Sequence, residues 1–296
     1  MIVREKPSKF DLIFALRGSI VPIIAKDVIA LSLIAATLVW TDYQFGLLPH
    51  LDGASFTVFG IALSLFLGFR NNAAYERWWE ARTLWGGLLA DIRSFSREVR
   101  IFVADEDVRK ELVRTALAFL HLHRITLRNL PLDDEAEALP REFAGAPDPP
   151  GAALNTLAER IGASFTEGKI GGFGARSLSE RLARMTLQQA GCERIAATPL
   201  PYVYSLLIYR TTYLYCLFLP LALFDSSGWM SPVIVAIVAY VFLGLAEVTE
   251  ELSHPFGTTP NGLPLDAICR IAERSAAVHL GNDPPEPFKA KRYFLS

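Results

Sequence analysis

The pattern with the clearest chemical consequence is a row of bulky apolar residues at every fourth position: Ile61, Leu65 and Phe69. Residues at i, i+4 and i+8 share one face of a helix, so this bulky row would extend over about 12 Å. If several copies of the helix surrounded an axis, the row would form a narrow apolar constriction. Such a constriction offers an ion no polar ligand, and conduction through it depends on its width and its wetting. The alternative is that the row is ordinary core or lipid-facing surface.

A row of small residues lies beside the bulky row: Gly60, Ser64 and Gly68. Small residues four positions apart allow the backbones of two membrane helices to approach closely. One face of the helix is therefore predicted to pack against a neighbouring helix. Beyond Phe69 the helical pattern continues to about Arg100 without a proline, while Arg, Glu, Asn and Trp become frequent. A helix that continues unbroken from lipid into water needs neighbours in both media. A bundle of such helices about an axis would supply them.

No arrangement of residues indicates an enzyme. The sequence contains no nucleophile–base pair, no glycine-rich phosphate loop and no paired carboxylates of the catalytic kind. His121 and His123 stand two positions apart, which places them on different faces of a helix and disfavours a metal site. The three cysteines are scattered, so neither a disulfide framework nor a zinc site is indicated.

The composition predicts a membrane protein with a substantial solvated part. The chain has 296 residues, of which 51% are hydrophobic, and a mean hydropathy of +0.28. These values are high for a soluble protein and low for one that lies wholly in lipid. The formal net charge of −2 gives no global basic field, so nucleic acid is not an expected partner.

Four stretches have close to the roughly 20 apolar residues that a helical span requires. They are residues 21–40, 54–69, 201–224 and 228–248. The second extends only roughly 24 Å at the helical rise, which is short for full exposure to lipid. The third contains Arg210, and a charge at such a depth is either functional or paired, here with Asp27, Glu247 or a backbone carbonyl.

The connections between these stretches predict the orientation of the chain. Residues 41–53 and 225–228 contain no Lys or Arg, whereas the N-terminal segment, residues 70–198 and the C-terminal tail are rich in them. Because basic connections stay on the cytoplasmic side, both termini and the long middle region are predicted to be cytoplasmic. We therefore expect a multi-pass protein of the cell inner membrane, with the lipid bilayer as its environment.

The predicted cytosolic region, about 70–198 and 252–296, has helical patterns and no strand pattern. Ser177 and Glu180 have the spacing of a capping box, which predicts the start of a helix there. Residues 130–152 are rich in Pro, Ala and acidic residues, which is typical of a surface loop. Glu250, near the end of the fourth span, is expected to be a solvated helix-terminal residue.

Three segments of the chain resemble the bestrophins: FLGFRNNAAYERWWEAR (66–82), CERIAATPLPYVY (192–204) and EELSHPFGTTPNGLPLD (250–266). The order and spacing of these segments also agree, and the match covers nearly the whole chain. The chain looks most like the prokaryotic branch, whose members lack the long C-terminal extension of the eukaryotic ones. The most specific markers of the resemblance, which it implies to be structural, are Arg77, Trp78, Trp79, Pro255, Phe256 and Gly257.

The resemblance implies an all-α membrane protein that forms a single bestrophin-like unit over residues 1–296. It implies four transmembrane helices per subunit and a homopentamer around one axial pore. The bulky row would be the neck of that pore, and Phe173 would form a second constriction at the cytosolic exit. Small monovalent ions would pass passively. Chloride is the commonest ion in the family, but sodium and other monovalent cations stay open for bacterial members.

The segment after the Pro255–Gly257 turn departs from the animal bestrophins, which carry a calcium-binding acidic run there. Residues 258–262 are Thr, Thr, Pro, Asn and Gly, and they offer none of the charged oxygen ligands that Ca²⁺ prefers. No calcium site of the animal type and no other cofactor is therefore expected. The alternative function is a membrane-anchored scaffold or sensor whose cytosolic helices bind a partner, without ion flux.

Overall fold

The computed structural model describes residues 1–2, 8–15, 18–131, 141–143, 145–291 and 293–295. These residues are mainly helical and include no strand longer than an isolated bridge, as the sequence predicts. The α-helices are α1 (Lys9–Ile13), α2 (Val21–Phe45), α3 (Gly53–Phe102), α4 (Glu106–Arg128), α5 (Pro149–Thr166), α6 (Gly172–Ala197), α7 (Tyr202–Ser227), α8 (Ser231–Ser253) and α9 (Leu265–Leu280). Two short 3₁₀ turns lie at Arg141–Phe143 and Gly228–Met230.

Contacts divide the chain into two units. The apolar unit comprises Glu5–Trp78 and Pro199–His254, and the polar unit comprises Met1–Arg4, Trp79–Thr198 and Pro255–Ser296. Helix α3 contributes to both units, because the dividing line falls between two of its residues.

The apolar unit is built from α2, the first part of α3, α7 and α8. Helix α2 packs against α7 and α8, which also pack against each other. Helix α2 ends at Gly46, whose φ of 58° is a left-handed conformation that favours glycine and turns the chain toward α3. All four helices contribute to one buried cluster: Ile24, Leu31, Ala35, Leu63, Leu67, Ile208, Tyr215, Cys216, Leu219, Val235, Ala239, Leu243 and Ala246.

Three segments of the described chain are long and apolar enough to cross a membrane: Val21–Phe45, Gly53–Phe102 and Tyr202–Ser253. The third contains α7 and α8 with the one-turn 3₁₀ helix between them. The four predicted spans thus fall in four helices. The stretch predicted at 54–69 is the first part of a helix of 50 residues, which agrees with the absence of a stop signal beyond Phe69.

The polar unit is built around α4, which packs against α5, α6 and α9. Asp105 caps α4, because its carboxylate accepts hydrogen bonds from the N–H groups of Asp107 (3.0 Å) and Val108 (3.3 Å). These bonds stabilise the ionised form and hold the pKa of Asp105 below its usual value, with the bond from Val108 as the largest cause. Large side chains with almost no exposed surface form the core: Trp85, Phe95, Phe119, Leu88, Ile92 and Leu157.

Two local expectations in the polar unit are wrong. Helix α6 begins at Gly172 and not near Ser177, whose hydroxyl donates to Glu98 Oε2 (3.2 Å) instead of capping the backbone. The acidic loop ends earlier than residue 152, since Asp148 caps α5 by accepting a bond from the N–H of Gly151 (3.1 Å). Residues 132–140 and 144 of that loop lie outside the described residues.

Candidate functional site

The bulky row lies on the face of α3 that points away from the core of the apolar unit. The side chains of Ile61, Leu65 and Phe69 are 57%, 56% and 70% exposed, whereas Leu63 and Leu67 on the other face are 4% and 0% exposed. The row is therefore not part of the subunit's own core. An outward row of this kind is suited to contact lipid or to surround an axis shared by several copies.

Within the described residues of one subunit, the small row closely approaches another helix at Gly60. A Cβ atom at Gly60 would lie 2.7 Å from the hydroxyl oxygen of Tyr215 on α7, so glycine is needed for the close approach. Gly68 has open space around the corresponding position, and the Ser64 hydroxyl donates to the carbonyl of Ile61 (2.8 Å) within the same helix. Four residues turn a helix by about 400°, so a row at this spacing drifts away from a fixed partner.

Helices α3 and α7 run antiparallel in a steady register. Gly53 lies beside the carbonyl of Ala222, Gly60 lies beside Tyr215, and the Arg70 guanidinium bonds the Ser205 hydroxyl (2.6 Å). As the position on α3 rises from 53 to 70, the partner position on α7 falls from 222 to 205. At this register the middle of the bulky row is level with residue 210.

Arg210 is exposed, and it makes no hydrogen bond or ion pair with any described residue. Of the two interpretations of Arg210, a pairing with Asp27, Glu247 or a backbone carbonyl is not seen among the described residues of one subunit. Asp27 lies near the Tyr213 hydroxyl, and Glu247 accepts a hydrogen bond from the Tyr209 hydroxyl (3.1 Å). A guanidinium thus stands unpaired on the surface of the apolar unit, at the level of the bulky row.

Arg70 joins three helices where α3 changes from apolar to charged sequence. Its Nη2 donates to the Ser205 hydroxyl on α7 (2.6 Å) and to Glu250 Oε2 on α8 (2.8 Å). The side chain is only 5% exposed, and a charge buried to that degree requires such partners. Glu250 is therefore not merely a solvated residue at a helix end. Sequence reasoning missed this pair, since the two residues are 180 positions apart.

Within the Arg77–Trp79 triplet, Arg77 bonds the end of another helix. The Arg77 Nε donates to the carbonyl of Ser253 (2.7 Å), and so places a cation at the last turn of α8, where carbonyls lack partners within the helix. Trp78 is half-buried and stacks on Tyr75 with 6.5 Å between ring centroids. Trp79 is 55% exposed.

The Pro255–Phe256–Gly257 turn is folded back on the residues that follow it. The carbonyl of Pro255 accepts a hydrogen bond from the N–H of Leu263 (2.8 Å), and Phe256 is buried in the polar unit. The N–H of Gly262 donates to the carbonyl of Thr259 (3.0 Å) within the same segment. The described residues contain no group of three or more His, Cys, Asp or Glu side chains that could hold a metal ion.

Phe173 is the second residue of α6 and belongs to the polar unit, whereas the bulky row belongs to the apolar unit. Its side chain is 90% exposed. The glycine that follows it is required by packing, because a Cβ atom at Gly174 would lie 2.6 Å from Cβ of Phe102. A bridge between Val103 and Ile170 holds the start of α6 beside the end of α3.

Comparison with known proteins places these features in a family. The profile of the family described as Bacterial/Fungal Bestrophin protein matches residues 1–278. A voltage-dependent anion channel-forming protein of Mesorhizobium japonicum is 40% identical over 304 aligned residues, which cover 100% of this chain and 97% of the relative. The voltage-dependent anion channel-forming protein YneE of Escherichia coli K12 is 37% identical, with 92% of each chain covered.

A solved structure is also similar. The crystal structure of a bacterial bestrophin homologue from Klebsiella pneumoniae superposes with a TM-score of 0.80 at 34% identity, and the match covers 87% of this chain and 97% of that chain. The prediction that the chain is not an enzyme agrees with these relatives, which are named as channel-forming proteins.

Proposed function

The chain belongs to the bacterial and fungal bestrophin family, and we propose that it forms a homopentameric channel that conducts small monovalent anions passively. In this proposal each subunit crosses the cell inner membrane four times, through α2, the first part of α3, α7 and α8, with both termini cytoplasmic. Support comes from the names of the relatives, which are voltage-dependent anion channel-forming proteins, and from the apolar character of those helices.

The observation that carries the proposal is the outward position of the bulky row. One subunit leaves this apolar face exposed. If five copies of α3 surrounded one axis, the five faces would point toward one another around it. The rings of Ile61, Leu65 and Phe69 would then form an apolar neck about 12 Å long, in which an ion meets no polar ligand. Conduction would depend on the width of this neck and on whether water fills it.

Arg210 supports anions over cations as the permeant ions. The neck itself carries no charge, so a preference must come from groups around it, and Arg210 is unpaired at the level of Leu65. At an effective dielectric constant of about 20, two unit charges on the order of 15 Å apart interact by about 1 kcal/mol. Five subunits would each contribute such a field, which lowers the energy of an anion in the neck and raises that of a cation.

Phe173 is proposed to form the second constriction, at the cytosolic exit. A phenylalanine that is 90% exposed leaves nearly all of its apolar surface in water in an isolated subunit. A ring of five such side chains would shelter part of that surface. The triplet at 77–79 and the turn at 255–257 are assigned structural roles, and no calcium switch is part of the proposal.

Single-channel recording in planar bilayers with asymmetric KCl tests the proposal. We expect a reversal potential close to that of chloride, and a larger conductance in Leu65→Ala and Phe69→Ala because both changes widen the neck. Leu33→Ala is the matched control, since this leucine on α2 is 63% exposed but lies outside the bulky row. Absence of current would favour the scaffold or sensor, and conductance unchanged in both variants would contradict the neck. A reversal potential near that of potassium would contradict the preference for anions.

A further inference from the structure

A cleft of about 260 Å³ lies within the polar unit, between the end of α3, the first two turns of α4 and the end of α9. Three cationic side chains line this cationic cleft: Arg100, Arg109 and Lys110. Glu106 is the carboxylate among its lining residues. Three cations and one carboxylate leave an excess of two positive charges in the lining.

The two arginines of the cationic cleft are not neutralised by a carboxylate within it. Glu106 Oε1 lies 2.8 Å from Nζ of Lys110 and forms an ion pair with it. Arg109 donates from Nη1 to the uncharged carbonyl of Val103 (3.4 Å), and its other nitrogens are not enclosed by protein atoms. Arg100 is exposed and makes no hydrogen bond or ion pair with any described residue. Both guanidinium groups therefore have donors that a ligand in the cleft can reach.

His279 also lines the cleft, and its titration reflects the positive charge there. Burial is the largest cause that lowers the pKa of His279 below its usual value, and the charges of Arg100 and Arg97 lower it further. The imidazole is therefore mainly neutral at pH 7, so it neither adds to the excess charge nor cancels it.

We propose that this cleft binds a small oxyanion with two negative charges, of the phosphate class. A phosphate group carries about 1.5 to 2 negative charges at pH 7 and presents three strong acceptor oxygens. Guanidinium groups bind such oxygens with paired N–H donors. The volume of the cleft lies below the roughly 300–1,000 Å³ of sites for drug-sized ligands, so it suits a single small group. A monovalent anion would leave one positive charge uncompensated.

Occupation of the cationic cleft would also affect the start of α6. The carbonyl of Val103 accepts the bond from Arg109, and Val103 forms a bridge with Ile170, just before α6. Phe173 follows three residues later. An oxyanion that draws the Arg109 side chain toward itself would therefore act on the contact that positions Phe173. This consequence rests on the proposed channel function, whereas the binding site does not.

Calorimetric titration of the full-length protein in phosphatidylcholine nanodiscs tests the site, with empty nanodiscs as background. Inorganic phosphate is the probe, and acetate is the monovalent comparison. We expect saturable binding of phosphate that is at least about 10-fold tighter than that of acetate. Glycerol 3-phosphate distinguishes the source of the group: tighter binding than that of phosphate identifies a phosphorylated metabolite as the ligand, and weaker binding identifies the free ion.

Two sets of variants locate the binding. Arg100→Gln should weaken phosphate binding by at least about 10-fold, because a charge-assisted hydrogen bond is lost. Arg114→Gln is the matched control, since Arg114 is an exposed arginine on α4 that does not line the cleft, and its binding should equal that of the wild type. Val278 lines the cleft and is 68% exposed, so it tolerates substitution. Val278→Glu should bind phosphate at least about 10-fold more weakly than Val278→Gln, which has the same size without the charge.

Four results would overturn the inference. They are equal binding of acetate and phosphate, unchanged binding in Arg100→Gln, equal binding in the two Val278 variants, and a loss in Arg114→Gln as large as that in Arg100→Gln. In planar bilayers, phosphate on the cytoplasmic side should change the mean current of the wild type but not that of Arg100→Gln. A current that ignores phosphate would contradict the action on Phe173 alone. Phosphate binding without any current would contradict the proposed channel, while the binding site stands.

Discussion

Acidification is expected to destabilise the polar unit through one buried histidine. His123 on α4 is 0% exposed and stacks between Trp85, with 5.6 Å between ring centroids, and Phe119, with 6.0 Å. Neither ring nitrogen has a hydrogen-bond partner among the described residues. Burial without a partner disfavours the charged imidazolium and lowers the pKa of His123 to about 3.

The size of the effect follows from the difference between the pKa of His123 in the folded state and its pKa in the unfolded state. The unfolded chain binds a proton on this histidine below its ordinary pKa of 6.5, whereas the folded unit does not until about pH 3. The free energy of unfolding is therefore unaffected above pH 6.5 and falls as the pH decreases toward 3, by about 1.4 kcal/mol per pH unit. At pH 5 the loss is about 2 kcal/mol.

Urea titrations of the full-length protein in nanodiscs, followed by circular dichroism at about pH 7.5 and about pH 5, measure this loss. His123→Phe keeps a stacked aromatic ring but removes the imidazole that binds a proton. Between the two pH values, its free energy of unfolding should therefore fall by about 2 kcal/mol less than that of the wild type. His254→Phe is the control, because the side chain of His254 is 59% exposed, and it should lose as much as the wild type. Equal losses in the wild type and His123→Phe would refute the reasoning.

Three further changes have definite expected outcomes. Arg210→Gln should move the reversal potential in asymmetric KCl toward zero, while Arg210→Lys should keep most of the anion preference. Gly60→Leu should destabilise the apolar unit by about 1–3 kcal/mol in thermal or denaturant unfolding, because its side chain would collide with Tyr215, whereas Gly68→Leu has open space and should have a smaller effect. Addition or chelation of Ca²⁺ should leave conductance unchanged, because residues 258–262 carry no acidic side chain.

The helical organisation could be predicted because it depends on local properties of the chain. Three signals can be recognised over short windows: the length of an apolar run, the absence of proline and the period of the bulky row. The stretches that these signals predict to be helical lie within helices, and α3 is one long helix. Family membership could also be predicted, since the Arg77–Trp79 triplet is a local signal.

Partners between helices could not be predicted in the same way. The packing of α3 against α7 and α8 decides that Arg70 meets Ser205 and Glu250, and no short window contains that information. Arg210 is a second case, because the sequence left it either functional or paired with Asp27, Glu247 or a backbone carbonyl. In the structure Glu247 accepts a hydrogen bond from the Tyr209 hydroxyl, and Arg210 is exposed with no partner among the described residues.

Two successive residues connect the proposed neck with the contacts that tie α3 to α7 and α8. Phe69 is 70% exposed and Arg70 is 6% exposed, because adjacent positions on a helix differ by about 100° in direction. The last residue of the bulky row therefore precedes the residue that ties α3 to α7 and α8. Loss of the Arg70 bonds would free this turn of α3 to rotate, and any rotation would change how the Phe69 ring faces the axis. Residues that never line the pore should thus alter its width, and Glu250→Gln is the mildest change that tests this coupling.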